Sequence, residues 1–153
     1  MKIFIFLVLC VFELRAVPLS TLAGKWYAYA ESTTNGTATT EKEYLSLNSD
    51  NTFSIQLFVS LHKGDAFIKD LRIEGSGIWK RRDDTLVIYI QKVEVPFAKE
   101  IYLISQESLR NLANNFKYKY ESEPLKIIYI QNLDKESLVT ENEKGQITSY
   151  RRQ

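Results

Sequence analysis

The sequence predicts an all-β domain, an up-and-down antiparallel barrel or a sandwich of eight or nine short strands, with one inserted helix. Three observations carry this. Apolar and polar residues alternate at period two along most of the chain. The alternating segments are separated by short clusters of Asn, Asp, Gly and Ser that suit hairpin turns. One segment alone, Ser105 to Tyr120, changes to helical spacing.

The start of the chain follows another pattern. Lys2 precedes an unbroken apolar run of ten residues, Ile3 to Phe12. A membrane-spanning helix needs about 20. A short positive start followed by 7–15 apolar residues reads as a secretory signal peptide. Residues 1–20 are therefore expected to be a signal, cut near 16–20, with Ala16 and Ser20 as the candidate sites. Residues 21–153 are then the barrel domain. Leu9 before Cys10 is not the small residue that lipid attachment wants, so no lipid anchor is expected. The expected location is secreted or periplasmic, with no membrane insertion after cleavage. Removing Met1 to Ala16 leaves 18 basic and 18 acidic side chains and no cysteine. A cysteine-free exported domain depends on its core and its backbone ladders.

The elements follow in order. Leu22, Gly24, Trp26 and Ala28 share one face of a first strand, with Lys25, Tyr27 and Tyr29 opposite. Glu31 to Lys42 has no apolar period and reads as a loop. Tyr44, Leu45 and Leu47 make a short strand, and the turn formers Asn48 to Asn51 follow. Phe53, Ile55, Leu57, Val59 and Leu61 alternate cleanly, and the pair forms a hairpin. His62-Lys63-Gly64-Asp65 is a turn. Leu71, Ile73, Gly75, Gly77 and Trp79 then face one way, and the two glycines suggest a tight bend or a close packing partner. Leu86 to Val93 and Ile101 to Ile104 are strands. Leu109, Leu112, Ala113 and Phe116 recur at helical spacing behind Ser105, a capable N-cap, and predict a helix of about ten residues. Leu125 to Leu133, Leu138 to Thr140 and Ile147 to Arg152 complete the strands.

Several of these residues form a familiar order. Leu22-Ala23-Gly24-Lys25-Trp26 resembles the Gly-x-Trp opening of lipocalins and related calycin barrels. Gly77-Ile78-Trp79, followed by Asp83-Asp84-Thr85-Leu86, resembles the mid-barrel strand and hairpin of small lipocalin-like domains. Ile130-x-x-Leu133, Leu138-x-Thr140 and Tyr150-x-Arg152 are similar to the closing hairpin of that group. The resemblance runs from Thr21 to Arg152. The helix precedes the final hairpins instead of following the last strand, so the match is to the wider lipocalin-like group. It implies a barrel with one closed end, plugged by a first-strand Trp with a last-strand Arg across it. Gly24, Trp26 and Arg152 fit that closure. Arg151 competes by position, but Tyr150 and Arg152 share a face. An Arg over a Trp ring gains about 0.5–2 kcal/mol. The resemblance also implies binding of a small hydrophobic ligand.

The chemistry of the side chains narrows the function. There are 20 Lys and Arg against 19 Asp and Glu, so nothing draws a nucleic acid. His62 is the only histidine and sits in a turn, with no nucleophile or orienting carboxylate to pair with it. A metal site would need several ligands. No enzyme activity, metal or cofactor is expected. The pairs Glu41/Glu43, Asp83/Asp84, Glu121/Glu123 and Glu141/Glu143 read as solvated charge at strand ends and loops. Lys80-Arg81-Arg82 is neutralised by Asp83-Asp84 at a hairpin tip. Two readings of the inward residues stay open. Small barrels are often packed shut by side chains. Otherwise Phe53, Leu57, Ile73, Trp79, Ile88 and Tyr150 line a cavity for a small apolar ligand. A protein partner would engage the loops Glu31–Lys42, His62–Ala66 and Val95–Lys99. Asn35-Gly36-Thr37 is a glycosylation sequon.

Overall fold

The computed structural model describes residues 22–96 and 98–153. The expected signal segment, with Cys10, Ala16 and Ser20, lies outside the described residues. Among the described residues, alternating faces give nine antiparallel strands, and one segment forms a helix. The strands are β1 (Gly24–Thr34), β2 (Thr37–Leu47), β3 (Thr52–Lys63), β4 (Ala66–Arg82), β5 (Thr85–Glu94) and β6 (Ala98–Tyr102), then, after helix α1 (Gln106–Ser122), β7 (Leu125–Leu133), β8 (Ser137–Asn142) and β9 (Ile147–Arg152). Hydrogen-bonded neighbours run β3-β2-β1-β9-β8-β7-β5-β4, and β4 pairs back onto β3. This is a closed eight-stranded antiparallel barrel, and β6 adds a ninth strand to the outer half of β4. Closure leaves the eight barrel strands without a free sheet edge along their paired lengths.

Glu31 to Lys42 is not a loop. Thr34 pairs with Thr37 across a two-residue turn, Asn35 (φ 52°) and Gly36 (φ 74°). Positive φ at both positions is the hairpin turn that Asn-Gly favours, and the flanking threonines are β-branched. The apolar period is missing because this half of β1 stands clear of the core: residues 29–34 are exposed. His62 and Lys63 likewise belong to β3, and only Gly64-Asp65 turns.

Strand β4 begins earlier than its alternation suggests, because it is bent. The β3 register shifts between Val59 and Leu61, opposite Asp70, whose φ is 49°. Such a bulge re-aims a strand. β4 pairs with β6 from Phe67 to Leu71, across the bulge, and with β5 from Glu74 onward. Further along, a Cβ on Gly75 would lie 2.8 Å from Ile55 Cγ2, and one on Gly77 would overlap the Tyr89 carbonyl. The two inward glycines therefore mark close approach, the second at a register shift against β5. β6 ends at Tyr102 instead of running to Ile104, since Leu103 turns away at φ 51°.

Helix α1 runs 17 residues, longer than the sequence suggests. The Ser105 hydroxyl caps it, accepting from Ser108 N–H at 3.0 Å. Leu109, Leu112, Ala113, Phe116 and Tyr120 form its half-buried stripe, while Tyr118 is 74% exposed. Phe116 and Tyr120, one turn apart, pack on a cluster of Leu57, Val59, Ile73 and Val93. A larger cluster, including Leu22, Trp26, Leu47, Phe53, Trp79 and Leu138, fills the other end. The barrel thus has a solid base and a helical lid.

Candidate functional site

The base is built around Trp26, fully buried, whose Nε1–H donates to Leu22 O at 2.9 Å. The Arg152 guanidinium lies 4.1 Å from the Trp26 ring centroid. Its Nε donates to Lys135 O at 2.6 Å and its Nη1 to Ala23 O at 3.0 Å. A Cβ on Gly24 would overlap Arg152 Nη1, and the φ of 149° at Gly24 also disfavours any side chain. The register pairs Trp26 with Arg152 and Tyr27 with Arg151, which puts Arg151 on the exposed face. The arginine across the plug is therefore Arg152.

Between base and lid lies a cavity of about 110 Å³ inside the barrel. Phe53, Leu57, Ile73, Ile88 and Tyr150 line it, joined by Leu45, Ile55, Ile90, Val93 and Ile128. Trp79, the sixth residue that the sequence places there, does not. It sits lower, in the packed base, where its Nε1–H donates to Asn48 O at 2.9 Å and its backbone N–H to Asn51 O at 2.8 Å. The base is packed shut, and a cavity remains above it.

The cavity has one polar corner. Glu43 sits in β2 opposite Ala28 of β1 and Leu57 of β3, all on the inner face. The Tyr150 hydroxyl donates to Glu43 Oε1 at 2.6 Å. Tyr120 reaches the same cavity from α1. Burial raises the Glu43 carboxyl above the usual carboxylate range, against the lowering effect of the Tyr150 hydrogen bond, and Glu41 adds to the rise. Burial also pushes the Tyr120 hydroxyl up to about 12, with the charges of Glu43 and Glu41 adding to it. Tyr150 is raised in the same direction, by burial and then by Glu43. Glu43 is therefore not the solvated strand-end charge that its pairing with Glu41 suggests. The signal was its parity: Glu43, Leu45 and Leu47 share one face of β2. Lys126 also lines the cavity, but its Nζ lies 3.3 Å from Glu123 Oε2.

Beside this corner the barrel wall parts. β1 and β9 pair only at Trp26–Arg152 and Tyr27–Arg151. Beyond them a surface cleft of about 260 Å³ lies between Ala28–Ala30 and Ile147–Ser149. Glu43 and Leu57 line both the cleft and the cavity.

No known protein family and no curated protein matches this chain. The chemistry of the site therefore rests on its own side chains. His62 stands apart from it, on the rim, stacked on Phe67 at 6.5 Å, which in turn stacks on Tyr102 at 5.7 Å. What the site offers is an apolar chamber, one carboxyl group and two phenols. That set suits holding a compact molecule by its apolar body and one polar end.

Proposed function

We propose that this chain is an exported, lipocalin-like binding protein that holds a small apolar ligand inside its barrel and does no chemistry on it. The observation that carries this is the hollow upper half of the barrel, walled by Leu, Ile, Val and Phe side chains above a packed base. The Gly24–Trp26–Arg152 closure supports the lipocalin-like reading, and the Lys2 to Phe12 pattern supports export. An apolar cavity of about 150 Å³ accepts benzene. At about 110 Å³ this one is smaller, so a ligand of benzene size or larger would extend toward the cleft or lift the helix.

Toluene is a direct probe. Its titration is expected to shift the NMR methyl signals of Leu57, Ile73 and Ile88 and to raise Tm. Ile88→Phe, which fills the cavity, is expected to remove both effects. Shifts scattered over the surface, or none, would overturn the reading.

A protein partner at the open-end rim is the second reading. The stacked row of His62, Phe67 and Tyr102 favours it, with Tyr102 54% and Leu103 68% exposed beside the hairpin tips.

A further inference from the structure

Building on the cavity reading, we propose that the ligand is a small primary amine, bound as its ammonium ion at Glu43 with the Tyr150 and Tyr120 hydroxyls beside it.

The first argument is the isolation of the acid. Among the described residues no Lys, Arg or His forms an ion pair with Glu43. Its one hydrogen bond comes from Tyr150, so acceptor capacity remains on the carboxylate. Lys126, the cation that lines the same cavity, is engaged with Glu123. A carboxylate half-withdrawn from water beside apolar walls is costly unless something pairs with it. Here the missing partner would arrive with the ligand.

The second argument is the match of donors to acceptors. A primary ammonium carries three N–H donors and no acceptor. The corner offers the Glu43 carboxylate, the Tyr150 oxygen, which still accepts after donating to Glu43, and the Tyr120 hydroxyl, which makes no hydrogen bond among the described residues. Glu41, two residues back along β2 and exposed, lines the adjoining cleft. Two carboxylates on this side disfavour an anionic ligand such as a fatty acid or a phosphate. The alkyl or aryl body of the amine would occupy the side lined by Ile73, Ile88 and Val93.

Benzylamine and benzyl alcohol are nearly isosteric and separate the two levels of the proposal. At pH 7 and low salt, calorimetry or an NMR titration is expected to show benzylamine binding at least tenfold more tightly. That preference should survive 0.5 M NaCl, because a partly buried pair is screened much less than an exposed one. Glu43→Gln should collapse the ratio toward one, and Tyr120→Phe should reduce it. Equal or tighter binding of benzyl alcohol would overturn the amine assignment and leave the cavity reading standing. Loss of the preference at 0.5 M NaCl would assign it to surface charge and overturn the amine assignment as well. If neither compound binds, both readings fall.

Discussion

Glu43 has a consequence for stability as well as for binding. Its carboxyl is raised in the folded state by burial, so the folded protein holds that proton more tightly than the unfolded chain. As pH rises from the usual carboxylate range through the raised folded value, folding loses stability. Glu43→Gln removes that loss. The variant is expected to melt above the parent at pH 7 and to match it below pH 3, in thermal unfolding followed by circular dichroism. A variant that melts lower at pH 7 would show that the ionised group is already compensated. The parity of Glu43 was readable from Leu45 and Leu47, but its place inside a strand was not. Thr37 to Lys42 carries no apolar repeat, because that half of the β1–β2 hairpin projects beyond the core. Trp26 and Gly24 were readable for the opposite reason: a packed plug leaves one large residue and one forced glycine in a fixed order.

At the scale of elements, the helix is the part most loosely tied. None of its residues is fully buried, and Phe116 and Tyr120 are its grip on the barrel. Removing the cap with Ser105→Ala should cost about 0.5–2 kcal/mol. Because the barrel keeps its own ladders, that loss should appear as faster amide exchange across residues 106–122 and quicker ligand exchange, with strand amides unchanged. Uniformly faster exchange would mean that lid and barrel unfold together. The start of this helix was legible in Ser105 and its end was not. Phe116, Tyr118 and Tyr120 fit period two as well as a helical turn, and only the exposure of Tyr118 separates the two. The shift of β4 from β5 to β6 was hidden for a related reason. It depends on the backbone at Asp70, where no apolar repeat announces the bulge.

Across the whole molecule, the eight-stranded ring was legible because each strand carries its own alternation, while the thin seam between β1 and β9 was not. How two strands pair depends on the closed geometry of the ring. Most neighbouring strands share five or more rows, and β1 and β9 share two. Native-state hydrogen exchange should find the amides of residues 28–30 and 147–149 among the least protected in the barrel, and those of β2, β3 and β4 among the most. Arg152→Ala, which removes the bonds to Ala23 and Lys135, should spread the weak region into the base. Protection at the seam equal to that of β3 would contradict this.

The seam also joins parts of the chain that lie far apart. Arg152 meets Ala23 across 129 positions. Contacts of such long separation carry the largest loop-closure entropy and are slow to form. The barrel is thus expected to zip from its local hairpins and to complete the β1–β9 contact late. A contact absent from the folding transition state governs the unfolding rate more than the folding rate. Since the same seam borders the cleft beside Glu43, its opening would both begin the unfolding of the ring and expose the polar corner of the cavity to solvent.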